Sequence, residues 1–162
     1  MAADDVKELP DVAQVLAPIL ERVSSEQRPL LIAIAERMAA QRYREWAEDP
    51  ANLEKREGLL ACAQREERIA TTVEALYPDS EATQRDLLAK NPDAQNIFTS
   101  LFQGRSLSEQ FKIQAAGERL GAATWRSLAR DAEGPSRAAF EACASLEEES
   151  AQFLERSLLS IK

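Results

Sequence analysis

Residues 61–70 read ACAQREERIA, and residues 142–151 read ACASLEEESA. The two segments align at an offset of 81 (143 − 62), which sets Cys62 on Cys143. A second pair lies ahead of each: ERMAAQRYREWA at 36–47 and ERLGAATWRSLA at 118–129. Its offset is 82 (118 − 36), and Tyr43 stands opposite Trp125. Agreement in two segments at nearly one offset marks an internal duplication. The unit that is duplicated is a pair of helices.

Working outward, proline, glycine and cap residues divide the chain into helices, and no segment reads as a strand. Val12, Val15, Leu16, Ile19, Leu20 and Val23 recur at helical spacing over 11–23, although Pro18 interrupts the run. Ser24 and Ser25 are placed to cap the next helix, with Pro29 in its first turn and an end near Glu48. Asp49-Pro50 then reads as an N-cap followed by proline at the first helical position. That helix runs to about Tyr77, where Pro78 stops it. Two short helices follow, near 81–90 and 93–103, opened by Ser80 and Asn91-Pro92, and Gly104 closes the second. A helix from about Leu107 to Arg130, a turn at 131–135 and a helix from Pro135 to about Leu159 complete the chain. The expectation is all-α: an N-terminal extension with one short helix over 1–25, then a four-helix bundle over 26–162. The bundle comprises a hairpin (26–77), one long crossover (78–106) and a second hairpin (107–160).

Helical projection at about 100° per residue puts one glutamate on the apolar face of each long helix. Leu59, Cys62, Ile69, Ala70, Val73 and Leu76 surround Glu66, with Glu67 at the edge. Phe140, Cys143, Ala151, Leu154, Leu158 and Ile161 surround Glu147. Ile32, Ala39, Ala40, Tyr43 and Ala47 surround Glu36, and Phe111, Ala115, Gly121, Ala122, Trp125 and Ala129 surround Glu118. A buried ionised carboxylate needs a partner, and like charges together resist ionisation. Arg65, at the edge of its face, is the one arginine the pattern lets reach inward, and one arginine does not balance four carboxylates.

With these features the chain resembles the ferritin-like superfamily, nearest its rubrerythrin-like di-iron members. Those proteins are duplicated helical hairpins, each supplying one Glu from its first helix and an Ala-x-x-Glu-x-x-His motif from its second. The matching positions are Glu36 and Glu118, then Ala63-x-x-Glu66-x-x-Ile69 and Ala144-x-x-Glu147-x-x-Ser150, within about residues 28–160. The resemblance implies a metal site at Glu36, Glu66, Glu118 and Glu147. Both histidine positions are replaced, by Ile69 and Ser150. In the family's arrangement the second helices run antiparallel, so Cys62 and Cys143 lie on opposite sides of the site, about 12 Å apart along the axis. A disulfide needs Cα atoms within about 7 Å, so none is expected. The same geometry sets Cys143 near the level of Ile69 and Cys62 near that of Ser150. The rubredoxin-like partner module of the family, which needs four cysteines, is absent.

Composition narrows the chemistry. The 162 residues carry a net charge of −8 and include no histidine. That excludes a Ser/His/Asp triad, a histidine base and histidine-ligated zinc, haem or iron. Neither GxGxxG nor GxxxxGK[ST] occurs. Arginines alternate with glutamates, which reads as solvated helix surface, and an acidic chain is a poor binder of nucleic acid. No apolar run spans a membrane, and Met1-Ala-Ala-Asp-Asp does not read as a signal peptide. Two free, buried cysteines fit a cytoplasmic protein.

Three readings stay open. The first is a degenerate di-iron site without redox catalysis or cofactor, in an interaction or assembly domain. Its glutamates would be held by Arg65, by hydrogen bonds from Tyr43 and Gln114, by water or by protonation. The second is a carboxylate-only site for Fe or Mn, with oxidase, ferroxidase-like or storage activity. The third gives Cys62 and Cys143 a ligand's role in place of the histidines, against ordinary buried thiols. A second apolar stripe, Leu31, Ile34 and Met38 with Ile113, Ala116 and Leu120, also needs a cover. The 11–23 helix can cover one part and a second copy the other, which leads to the expectation of a homodimer. Trp46 and Trp125 read as core or interface anchors.

Overall fold

The computed structural model describes residues 8–160. Ile161 and the first five residues, on which two of the sequence readings fall, lie outside them. The described residues form seven α-helices: α1 (Val12–Arg22), α2 (Arg28–Glu48), α3 (Arg56–Glu74), α4 (Ser80–Lys90), α5 (Ala94–Ser100), α6 (Leu107–Asp131) and α7 (Gly134–Leu159). A 3-10 segment, Pro50–Lys55, joins α2 to α3. No strand occurs among the described residues, and none of these helices is long and apolar enough to cross a membrane.

The long helices pack as two hairpins, α2 on α3 and α6 on α7, which meet through α3 and α7. Surface ion pairs repeat the duplication. Arg37–Glu74 and Arg44–Glu67 tie the first hairpin, and Arg119–Glu155 and Arg126–Glu148 tie the second at equivalent positions. Each pair is worth about 0–1 kcal/mol, so they mark the correspondence of the two hairpins more than they hold the fold. The apolar faces supply most of the stability. One cluster gathers Ile69, Val73, Trp125, Phe140 and Cys143. A second gathers Tyr43, Trp46, Leu59, Cys62, Phe111 and Leu154.

The helix limits have local causes. Asp11 caps α1 by accepting the Gln14 N–H at 3.2 Å. Pro18 does not break α1 and lies on the helix's exposed side. Ser106 and Glu109 form a reciprocal capping box at the start of α6. Gly134, with φ +57°, makes the turn into α7, and Gly104, with φ +69°, ends the connection after α5.

Three expectations need correction. Ser24 and Ser25 do not cap α2; the N-cap is Gln27, and the Ser24 carbonyl accepts the N–H groups of Gln27 and Arg28 in a turn. The helix expected from Pro50 starts at Arg56. Asn52 takes non-helical angles and buries its amide against the Trp46 carbonyl at 2.9 Å, and this kinks the entry. The second apolar stripe finds its cover inside the chain. Leu31 and Ile34 pack with Ile19 and Val23 of α1 and with Leu87 and Phe98 of the crossover. Ile113 packs with Val12 and Leu101, while Ala116 faces solvent. The stripe that pointed to a second copy is therefore accounted for by α1, α4 and α5.

Candidate metal centre

Each long helix contributes one glutamate to a shared interior site. Glu36 (α2), Glu66 (α3), Glu118 (α6) and Glu147 (α7) are 8%, 0%, 1% and 2% exposed. Oxygens of Glu36, Glu66 and Glu147 come within 4.8 Å of one another. The helical period explains the convergence, because each glutamate sits at the centre of its helix's buried stripe. Among the described residues no arginine or lysine forms an ion pair with any of the four.

What the carboxylates do have is a set of uneven hydrogen bonds. The Tyr43 hydroxyl donates to Glu118 Oε1 at 2.6 Å, and Gln114 Nε2 donates to the same oxygen at 2.8 Å. Gln114 Oε1 accepts from Arg42 Nη1 at 2.9 Å, which fixes the amide with its NH₂ toward Glu118. Trp125 Nε1 donates to Glu147 Oε1 at 3.0 Å. Glu66 receives no donor at either oxygen, and Glu118 Oε2 receives none. Leaving a buried acceptor unmatched costs about 1–3 kcal/mol, and more for a charge. Such a site calls for protons, a cation or water.

Burial is the first cause of the electrostatics, and mutual repulsion is the second. Desolvation and the charges of Glu118 and Glu36 push Glu66 well above the usual carboxylate range. Glu147 is pushed well above it by desolvation and by Glu36, Glu66 and Glu118. Glu36 is raised by desolvation and by the charge of Glu118, while the close approach of its carboxyl to those of Glu66 and Glu147 and the charge of Arg42 oppose the rise. Burial also raises Tyr43 well above its ordinary value, aided by Glu118. Arg42 falls to about 10 through its own burial and remains a cation at neutral pH.

The structure places the remaining candidates around this centre. Ile69 and Cys143 share one apolar cluster. Ser150 Oγ accepts from Arg65 Nε at 2.9 Å, and Arg65 Nη2 approaches Cys62 Sγ at 3.1 Å. Arg65 thus reaches inward to Ser150 and Cys62, not to a carboxylate. Both thiols are free and buried. Burial pushes Cys143 up to about 12 and also raises Cys62, against the opposing effect of Arg65. They are poor thiolate ligands at neutral pH.

Sequence reasoning missed three residues. Arg42 looks like part of a charged helix surface, yet its guanidinium lies 3.7 Å over the Phe102 ring and orients Gln114. Trp125 touches Glu147; its pairing with Tyr43 in the repeat, two aromatics with polar tips, was the available signal. Gly121 makes room for Glu147, because a Cβ there would lie 2.5 Å from Glu147 Oε1. A glycine one turn after Glu118 inside a regular helix was the clue. Beside the site, an apolar cavity of about 130 Å³ opens between α1, α2, α5 and α6. Leu16, Leu31, Phe98, Leu101 and Ile113 wall it, and Glu36, Glu118 and Glu147 reach it.

Comparison of the chain with protein-family models, with curated proteins and with solved structures finds no match.

Proposed function

We propose that this chain is a ferritin-like four-helix bundle that binds a hard cation, Fe or Mn, through carboxylates alone. One observation carries the reading. Glu66 is fully buried, lacks a donor at both oxygens, and shares a 4.8 Å cluster with Glu36 and Glu147. A cation supplies what those oxygens lack. The one-glutamate-per-helix pattern, the equivalent ion pairs of the two hairpins and the long crossover support the ferritin-like reading.

The donor set fits a hard cation and not a nitrogen-preferring one. All four groups offer oxygen, and the positions expected for imidazole hold Ile69, which has no donor atom, and Ser150, whose oxygen is engaged by Arg65. A bound Fe or Mn ion would supply Lewis acidity and one-electron redox capacity. The chain's own part is to hold the ligands and manage protons. Tyr43 and Gln114 orient Glu118, Trp125 orients Glu147, and apolar side chains wall the cavity beside them. Without a cation the raised carboxyls keep protons, so binding must release them. The buried free thiols fit a reducing compartment, the cytoplasm.

The competing reading is a scaffold that binds nothing and stays neutral by protonation. Elemental analysis of the purified protein, followed by Fe²⁺ and Mn²⁺ titration under argon, separates the two. Saturable binding that disappears in Glu66→Ala is the expected result. Absence of binding in the wild-type chain rejects the cation reading and leaves an interaction or assembly domain.

A further inference from the structure

We infer, on the basis of the cation reading above, that the centre takes one cation and not two. The ion belongs among Glu36, Glu66 and Glu147, while Glu118 has one oxygen, Oε1, held by the protein's own donors and offers no second ion site.

Donors distinguish the positions. Oxygens of Glu36, Glu66 and Glu147 lie mutually within 4.8 Å. Glu118 adjoins Glu66 and Glu147 and is not part of that set. Glu118 Oε1 is already shared by two donors, Tyr43 and Gln114. Arg42 holds Gln114 from behind and is itself seated on Phe102, so the donors are fixed and do not yield easily to a metal. The second-helix position is also engaged. Arg65 donates to Ser150 at 2.9 Å and contacts Cys62, so the hydroxyl at that position is already taken. Glu66, by contrast, has no donor at either oxygen.

Charge gives an independent count. Four carboxylates carry four negative charges when ionised. Arg42 and Arg65 supply two positive charges at the edge of the centre, and one divalent cation supplies the other two. A second divalent ion would leave the buried centre with an excess of two positive charges, which a low-dielectric interior disfavours. The two guanidiniums stand in for the second metal.

The test is Mn²⁺ titration of the chelator-stripped full chain, with bound metal counted by elemental analysis and the spin state read by low-temperature electron paramagnetic resonance. The inference expects one Mn²⁺ per chain and an isolated six-line spectrum. Two ions per chain, or a spin-coupled spectrum, overturn it while leaving cation binding intact. No bound ion overturns the cation reading itself. Folded variants, checked by circular dichroism, place the ion. Glu118→Gln should still bind one Mn²⁺ with less than a tenfold loss of affinity, and Glu66→Gln should bind none. Loss of binding in Glu118→Gln, with the fold intact, also overturns the assignment.

Discussion

Glu66→Gln should stabilise the metal-free protein, by an amount that grows with pH. The side chain keeps its shape and loses its ability to ionise. Glu66 is raised well above the usual 4.5 by desolvation and by Glu118 and Glu36. A carboxyl raised in the folded state contributes stability that is complete below its unfolded value, about 4.5, and is lost as pH rises toward the folded value. Each pH unit in that window costs the folded state about 1.4 kcal/mol. From pH 4.5 to 7 the wild type therefore loses stability at this residue, by at most about 3.5 kcal/mol, and the glutamine variant does not. For a domain of this size that ceiling corresponds to roughly 7–14 °C in Tm. The assay is thermal melting followed by circular dichroism in chelator-treated buffers from pH 5 to pH 8. The variant should match the wild type near pH 5 and melt higher at pH 7. Mn²⁺ at 1,000 times Kd reverses the order, because it adds about 4.1 kcal/mol to the wild type alone. A variant that melts at or below the wild type at every pH, with a constant gap, would show Glu66 ionised and compensated, and would refute the reasoning.

Other substitutions probe the supports. Gly121→Ala sets a Cβ 2.5 Å from Glu147 Oε1; it should cost about 1–3 kcal/mol in urea melts and weaken Mn²⁺ binding by displacing that carboxylate. Tyr43→Phe removes the 2.6 Å hydrogen bond to Glu118 and should cost about 1.5–3 kcal/mol, the range for a bond to a charged group. Gly117 lines the apolar cavity and a Cβ there meets nothing within 4 Å; Gly117→Leu should raise stability by about 1–2 kcal/mol in the same melts, through helix propensity and added apolar burial. Cys143, with its thiol pushed up to about 12, should resist a thiol reagent at pH 8 in the native protein, and both cysteines should react once urea unfolds it.

The order and type of the helices were legible because punctuation and periodicity agreed along the chain. Pro78, Gly104 and the 131–135 turn mark the breaks between helices for steric reasons, although α3 and α5 end earlier than expected, at Glu74 and Ser100. The four inward glutamates were legible for the same reason: each stands at the centre of an apolar stripe. The start of α3 was not, because the kink at Asn52 depends on a contact with Trp46 that local pattern does not encode. Arg42 was hidden because an arginine between Gln41 and Tyr43 looks like surface until Phe102, from the crossover, is packed beneath it. The cover of the second stripe was underestimated because the crossover helices α4 and α5 have weak patterns of their own, yet bring Leu87, Phe98 and Leu101 to it. In each case the missing information was a contact between segments distant in sequence.

The central claim is that buried carboxylates in this bundle hold a cation. Anomalous diffraction from crystals grown with Mn²⁺ after chelator stripping tests it most directly. The account predicts an anomalous peak bounded by Glu36, Glu66 and Glu147, with carboxylate oxygens at about 2.0–2.3 Å, the range of metal–oxygen bonds for such ions. A map with no peak among these residues, at a Mn²⁺ concentration that saturates exposed sites, would contradict it.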